Sequence, residues 1–399
     1  MARRHYVGGS DLRAREAASR ARDHVLSEAA AVALPAENTM RHNFAADAAQ
    51  LTLATALRSS FASTIRRSKT GGPNLAEAKN ITERWLIGMV NAAAPEPAGS
   101  PYKIFRSLPV DSPVYRQLQT ELAAAGAANA PAILREVHAR VAGLLESPPG
   151  DADETIGCDA GELIYSATPC AAKGAGPAFE FRHKADSATA RLIPLGGCSA
   201  TVAAALRYAA LLPAGQQWGV PRAHVDALYK TWGVRNEAFA SPFNSRMVGR
   251  QGAAFCSLFP DTDAAFGSLG DFFELDLARG PPGNWLVNPP FIDELLARAA
   301  HKCLDALAGR DPPVFFFVMP AWRDCEAYAA LHKSRFAVAE LTLAPGSYYY
   351  ESPTGERIDT RAPSIYFALA PEVAPAAEAA QRATLRGALE HFKRLSASE

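Results

Sequence analysis

The residues Asn288-Pro289-Pro290-Phe291 carry the most specific chemistry in the chain. They stand between an apolar run, NWLV (284–287), and a helical pattern, IDELLARAAHKCLDALAG (292–309). Two consecutive prolines fix φ twice and remove two backbone N–H donors. What the junction presents is acceptors, the Asn288 carboxamide oxygen and the Pro289 carbonyl. Two converging acceptors suit an exocyclic amine, which carries two hydrogens, and Phe291 offers a flat apolar face for a ring. The chemistry such parts serve is in-line transfer of a methyl group from S-adenosylmethionine to the amino group of a nucleobase. That reaction asks for positioning and for stabilisation of the charge that develops on nitrogen, with no metal and no covalent intermediate. Read without chemistry, the same residues end a strand and place Phe291 in a core. The motif alone does not choose between adenine and cytosine.

Two upstream stretches are candidates for the methyl donor. EAFASPFNSRM (237–247) follows a short apolar run, and its small residues Ala240 and Ser241 would let a cofactor approach the backbone, although the G-x-G spacing of dinucleotide loops is absent. FPDTDAAFGSLGDFF (259–273) supplies Asp261 and Asp263 where an acid for ribose hydroxyls is usual. In the same stretch, Asp271-Phe272 offers an edge and a face for adenine. Each acid taken singly also reads as a turn or cap residue.

These motifs need strands and helices to hold them. Residues 1–150 are Ala-rich with apolar positions at helical spacing, which predicts an α-helical domain. Residues 151–177, entered through SPPGDADE (147–154) and left through TPCAAKGAGP, predict a linker or long loop. Over 178–372, EAFA (237–240), AFCSLF (254–259), NWLV, VFFFVM (314–319), VAELTL (338–343) and SIYFALA (364–370) alternate with helical patterns. Strand and helix alternating in this way predict an α/β fold with a largely parallel sheet. Residues 373–399 predict a C-terminal helix.

The 41 Lys+Arg balance the 41 Asp+Glu, so any site for a polyanion must be local, as at Arg66-Arg67-Ser68-Lys69 or Arg182-His183-Lys184. Each of these clusters also reads as a solvated face. The N-terminus has no apolar secretory core, and the run VFFFVMP is far shorter than the roughly 20 residues that span a bilayer. An intracellular location without membrane contact is expected. Cys158, Cys170, Cys198, Cys256, Cys303 and Cys325 are scattered with no C-x-x-C pair, and are expected to be reduced thiols without a zinc site.

FASPFNS, FPDTDAAFGSLG, NPPFIDELL, FFFVMPAWRD and HKSRFAVAELTL, in this order, resemble the phosphorylated-CTD-interacting-factor family, the cap-specific adenosine-N6 methyltransferases. The resemblance runs from about Val225 to about Leu343. It implies a Rossmann-like class I methyltransferase core joined to a helical domain, acting on capped RNA that begins with (2'-O-methyl)adenosine. It gives Asn288, Pro289 and Phe291, with Pro290 between them, the amine-gripping and stacking roles. It also implies that Ser241, Pro242, Asn244, Asp261, Phe266 and Gly267 line the cofactor site, and that Trp322 and Arg323 lie near substrate. A cap pocket would draw on Trp85, Tyr102, Phe105, Arg66, Arg67, Arg182 and Lys184. The family tilts the expected compartment from the cytoplasm toward the nucleus. No WW-type domain precedes the core, so no contact with the polymerase tail is expected. Ala321 stands where the family has an acid, and APGSYYYESPTGERIDTR after Leu343 diverges. Two alternatives stay open: methylation of adenine or cytosine on uncapped RNA or DNA, and a silent RNA-binding homologue.

Overall fold

The computed structural model describes parts of 47–58, then 75–91, 108–145 except 128, 152–159, 162–169, 179–184, 187–211, 217–360 and 362–395. After helical residues within 47–58 come the helices α1 (Leu75–Asn91), α2 (Pro113–Ala124) and α3 (Ala130–Leu145). In α2, Pro113 opens the first turn, where its missing N–H costs nothing. Val114, Leu118 and Leu122 then repeat every four residues and are all buried. An ion pair between Arg84 and Glu121, at 2.7 Å, fastens α1 to α2.

The expected linker holds structure instead. Strands β1 (Ala152–Asp159), β2 (Glu162–Pro169) and β3 (Phe179–Lys184) form an antiparallel sheet in the order β1-β2-β3. The signal was a short one. Leu163 and Tyr165 alternate with more exposed neighbours and are fully buried, while Pro and Gly on either side read as loop. The next helix, α4 (Ser187–Leu211), is two helices joined at Gly197, whose φ of 78° interrupts the ladder shortly after Pro194. Residues Ala188–Leu211 are long and apolar enough to cross a membrane by length and composition. Here, however, half of that apolar window is buried inside the protein, in the core shared with α1–α3.

The remaining elements are α5 (Arg222–Thr231), β4 (Val234–Glu237), β5 (Ala254–Phe255), α6 (Pro260–Asp263), β6 (Asn284–Val287), α7 (Asp293–Leu307), β7 (Phe315–Pro320), α8 (Glu326–His332), β8 (Ala337–Leu343), β9 (Tyr349–Glu351), β10 (Arg357–Asp359), β11 (Ser364–Leu369) and α9 (Pro375–Leu395). Six of the strands make one sheet in the order β5-β4-β6-β7-β11-β8. From β5 to β7 the pairs are parallel, and β11 runs antiparallel to both β7 and β8. The fold is therefore mixed α/β with a mostly parallel central sheet. The expected runs 237–240 and 254–259 are strand only at one end, because the chain turns away at Ala238 and at Cys256.

Alternation along β7 explains the layers. Phe316 and Val318 face a core shared with α5 and α9 through Val225, Leu228, Leu389 and Phe392. Phe315, Phe317 and Met319 face the opposite core, with Leu296 and Cys303 of α7 and Leu331 of α8. A third core joins α1–α4 to Phe255 of β5 and to Phe243, Phe259 and Phe266 from the segments after β4 and β5. The helical unit thus packs directly on the loops that the sequence singles out. Cys198 is disulfide-bonded, contrary to the expectation of thiols throughout, while Cys256, Cys303 and Cys325 are free.

Candidate active site

From β4 the chain moves outward to β5, then crosses back to β6 on the other side of β4. Such a reversal opens a crevice at the carboxyl ends of the two strands, where open α/β sheets bind ligands. Glu237 ends β4 and Asn288 follows β6. Both line a cavity of about 30 Å³ together with Trp218, Gly219, Phe239, Ala240 and Asn244. The Asn288 carboxamide oxygen is buried and has no hydrogen-bond partner. Pro289 is buried, and the turn closes when the Ile292 amide donates to the Pro290 carbonyl at 2.8 Å. Phe291 is half-buried, its ring edge-on to Tyr350 at 6.4 Å.

The loop after β4 is held from within. The Asn244 carboxamide oxygen accepts from the Ser241 amide at 2.7 Å, and the Ser241 hydroxyl donates to Gln217 at 2.6 Å. The buried Glu237 carboxylate accepts from the Ser245 hydroxyl at 2.6 Å and from the Arg246 amide at 2.8 Å. Burial nonetheless pushes its pKa up, against the pull of Ser245 and Arg246.

A cover lies over this edge. The β9–β10 hairpin pairs with the segment ahead of α5, where Gly219 and Glu351 exchange two backbone hydrogen bonds of 2.9 Å. The Glu351 carboxylate also accepts from the Arg222 amide at 3.0 Å and from Arg246 Nη2 at 3.1 Å. The hairpin lies within the stretch after Leu343 that diverges from the family pattern, and it brings Tyr350 to Phe291.

The structure brings Asn244 and Asn288 to one cavity, with Ser241 and Pro242 buried in the same loop as Asn244. Other candidates are engaged elsewhere. Asp261 Oδ1 accepts from Arg207 at 2.5 Å, and Arg207 also pairs with Asp47. Phe266 packs so closely on Gly196 that a Cβ there would meet its Cε1 at 2.5 Å. Phe272 is 1% exposed, its ring against Phe239, Phe273 and Trp285. Both rings serve the core rather than the cavity wall, since an aromatic beside a buried strand gains more from packing than from waiting for a ligand. Gly267 is left-handed, with φ 90°, and ends the turn after α6. Asp271 caps its own loop by accepting from the Phe273 amide at 2.8 Å, and burial raises its pKa.

Trp322 and Arg323 follow β7 at the same carboxyl edge. Trp322 is exposed, and Arg323 donates to the Tyr328 hydroxyl and to Thr342. Of the cap candidates, Trp85 is buried in the helical core beside Tyr115, and Arg182 pairs with Glu162 at 3.3 Å on the small sheet. Lys184 ends β3, while Arg66, Arg67, Tyr102 and Phe105 lie outside the described residues. Among the described residues no group of three His, Cys, Asp or Glu is placed to hold a metal ion. The sequence reading missed Glu237, Trp218, Arg246 and Glu351. Glu237 had a signal, an acid at the carboxyl end of an apolar run. Trp218 had none, because the segment around it shows no period.

A family model described as "Phosphorylated CTD interacting factor 1 WW domain" matches residues 198–352, less than half of the chain. The chain is 36% identical over 146 residues to the mRNA (2'-O-methyladenosine-N(6)-)-methyltransferase of Mus musculus, and 35% identical over 144 residues to that of Homo sapiens. Each match covers 35% of this chain and 19% of the relative, so the aligned part is about a fifth of those proteins' length. The chain is thus similar to methyltransferases over about a third of its length. The expectation of a core without the WW domain needs correction in one respect: the family model named for that domain falls on the α/β core itself, from the second half of α4 to just past β9.

Proposed function

We propose that the chain is an S-adenosylmethionine-dependent methyltransferase acting on the N6 amine of adenosine, at the first transcribed nucleotide of capped mRNA. One observation carries the reading: the buried, partnerless carboxamide oxygen of Asn288 at the sheet's switch point. A buried acceptor left unmade costs about 1–3 kcal/mol. A site that holds one in place is built for a donor that arrives with the substrate. The relatives' names supply the substrate class, and the strand order β5-β4-β6-β7-β11-β8 supports reading the sheet as a Rossmann-like class I core.

The donor supplies an electrophilic methyl group, and the residues present fit it. Glu237 and the Ser241–Asn244 loop would hold its polar end at the carboxyl tip of β4. Asn288 Oδ1 and the Pro289 carbonyl accept the two amine hydrogens. This concentrates the nitrogen lone pair along the line of attack and stabilises the charge that appears on nitrogen. Phe291 and the exposed Trp218 provide aromatic faces for the base, and the hairpin with Tyr350 excludes water. Methyl transfer breaks the bond to sulfur, forms the bond to nitrogen, and releases one amine proton.

A second reading, uncapped RNA, is favoured by the burial of Trp85 and the pairing of Arg182, which remove two cap candidates. Nucleoside mass spectrometry after incubation with one adenosine-initiated RNA, with and without a methylguanosine cap, decides. N6-methyladenosine on the capped RNA alone is expected. Equal product from both would remove the cap, and no product from either would remove the enzyme.

A further inference from the structure

The loop that follows β4 is bracketed by guanidinium groups that the neighbouring acids do not fully neutralise. The Arg246 side chain is 1% exposed. Its Nη2 donates to Glu351 at 3.1 Å and to the Ser352 carbonyl at 3.4 Å, while Nε and Nη1 are buried without partners. Arg191 reaches over from α4, donating Nη2 to the carbonyls of Pro242 at 3.2 Å and Phe243 at 2.9 Å. Its Nε is likewise buried and unpartnered, and Arg191 makes no ion pair among the described residues. Burial, with Arg222, Arg246 and Arg250 nearby, lowers the Arg191 pKa to about 10. The acids close by are already engaged. Glu351 serves the Arg222 amide and Arg246, Asp226 serves Arg250, and Glu237 serves Ser245 and the Arg246 amide.

Buried charged donors without acceptors are more costly than neutral ones, and a bridging water would leave the excess charge in place. Guanidinium forks match planar or tetrahedral oxyanions through paired N–H bonds. The position is adjacent to the cavity: the Arg246 amide binds cavity-lining Glu237, and Arg191 holds the two carbonyls between cavity-lining Ala240 and Asn244. We infer that Arg191 and Arg246 form an oxyanion site beside the Asn288 cavity, taking a carboxylate or a phosphate. The inference rests on the methyl-transfer reading for its two sources, the carboxylate of the methyl donor and the 5'-phosphates of the RNA.

Calorimetry on the full chain with two matched pairs of probes tests it. One pair is S-adenosylmethionine and its decarboxylated analogue. The other is a short oligoadenylate with a 5'-triphosphate and with a 5'-hydroxyl. In one pair, Arg191→Gln and Arg246→Lys should weaken the acid-bearing member about ten-fold, the loss of roughly one charge-assisted hydrogen bond. The acid-free member should bind as before, and the pair that responds names the source. Variants that treat both members of each pair alike, unchanged or equally weakened, would overturn the site, as would a wild-type chain that does not discriminate within either pair. Should Arg246→Lys melt early, the half-buried Arg191→Gln decides alone. A persisting preference for the acid-bearing probe with no RNA methylated would leave this site standing and remove the methyl-transfer reading.

Discussion

At the scale of single residues, the candidate site separates stability from activity. Asn288 contributes no carboxamide-oxygen hydrogen bond to the fold, so removing that oxygen loses none. Asn288→Ala should leave the melting temperature unchanged or slightly raised while turnover falls about 10²–10³-fold, the usual loss when one preorganised polar group is removed from a charge-developing centre. A thermal melt beside a methylation assay checks both halves. A large fall in melting temperature would mean that Asn288 is structural. Trp218 makes a similar case from the outside. It is 43% exposed at the mouth of the cavity, an unusual place for the largest apolar side chain. Base stacking on an aromatic is worth roughly 1–3 kcal/mol, so Trp218→Ala should raise the apparent KM for RNA by about five- to a hundred-fold with kcat and melting temperature little changed. An unaltered KM would return Trp218 to the surface.

At the scale of elements, the sheet was legible and its cover was not. NWLV and VFFFVM are short, strongly apolar and bounded by Gly or Pro, and the structure places strands at 284–287 and 315–320. Asn288-Pro289-Pro290-Phe291 lies where a strand-to-helix junction demands. By contrast, β1 and β2 were read as loop, because their alternation spans only a few residues between Gly-, Pro- and Ala-rich stretches. The cover over the crevice depends on Gly219 meeting Glu351, more than a hundred positions along the chain, and no local pattern encodes such a pairing. Phe266 and Phe272 pack into cores, a placement that side-chain type alone does not reveal. The kink in α4 makes the same point testably. Gly196 lets the helix approach Phe266, and a Cβ there would sit 2.5 Å from the ring. Gly196→Ala should therefore destabilise the chain by about 1–3 kcal/mol, the range for overpacking a close contact. Denaturant unfolding measures it, and a neutral or stabilising result would show that the ring can move aside at no cost.

At the scale of the whole molecule, the helical unit and the α/β core share one apolar interior, and a buried acid sits within the joint. Asp263 in α6 is fully buried and accepts from the Tyr208 hydroxyl of α4 at 2.6 Å, while its neighbour Asp261 takes Arg207, which also binds Asp47. Burial raises the Asp263 pKa to about 7, with Tyr208, Ser257, Thr262 and Arg207 pulling the other way. Its folded pKa stands above the ordinary carboxylate value, so between roughly pH 4 and 7 the folded chain holds a proton that the unfolded chain has released. Stability from this group is therefore complete below about pH 4 and is lost as the pH rises through about 7. Asp263→Asn keeps the shape and an acceptor for Tyr208 but cannot ionise. Against that variant, the wild-type melting temperature should fall progressively between about pH 4 and 7 and level off above that. Parallel curves across that range would mean that Arg207 and the surrounding hydroxyls already stabilise the carboxylate. The joint between the helical unit and the crevice loops would then be held by an ionised network rather than by a shared proton.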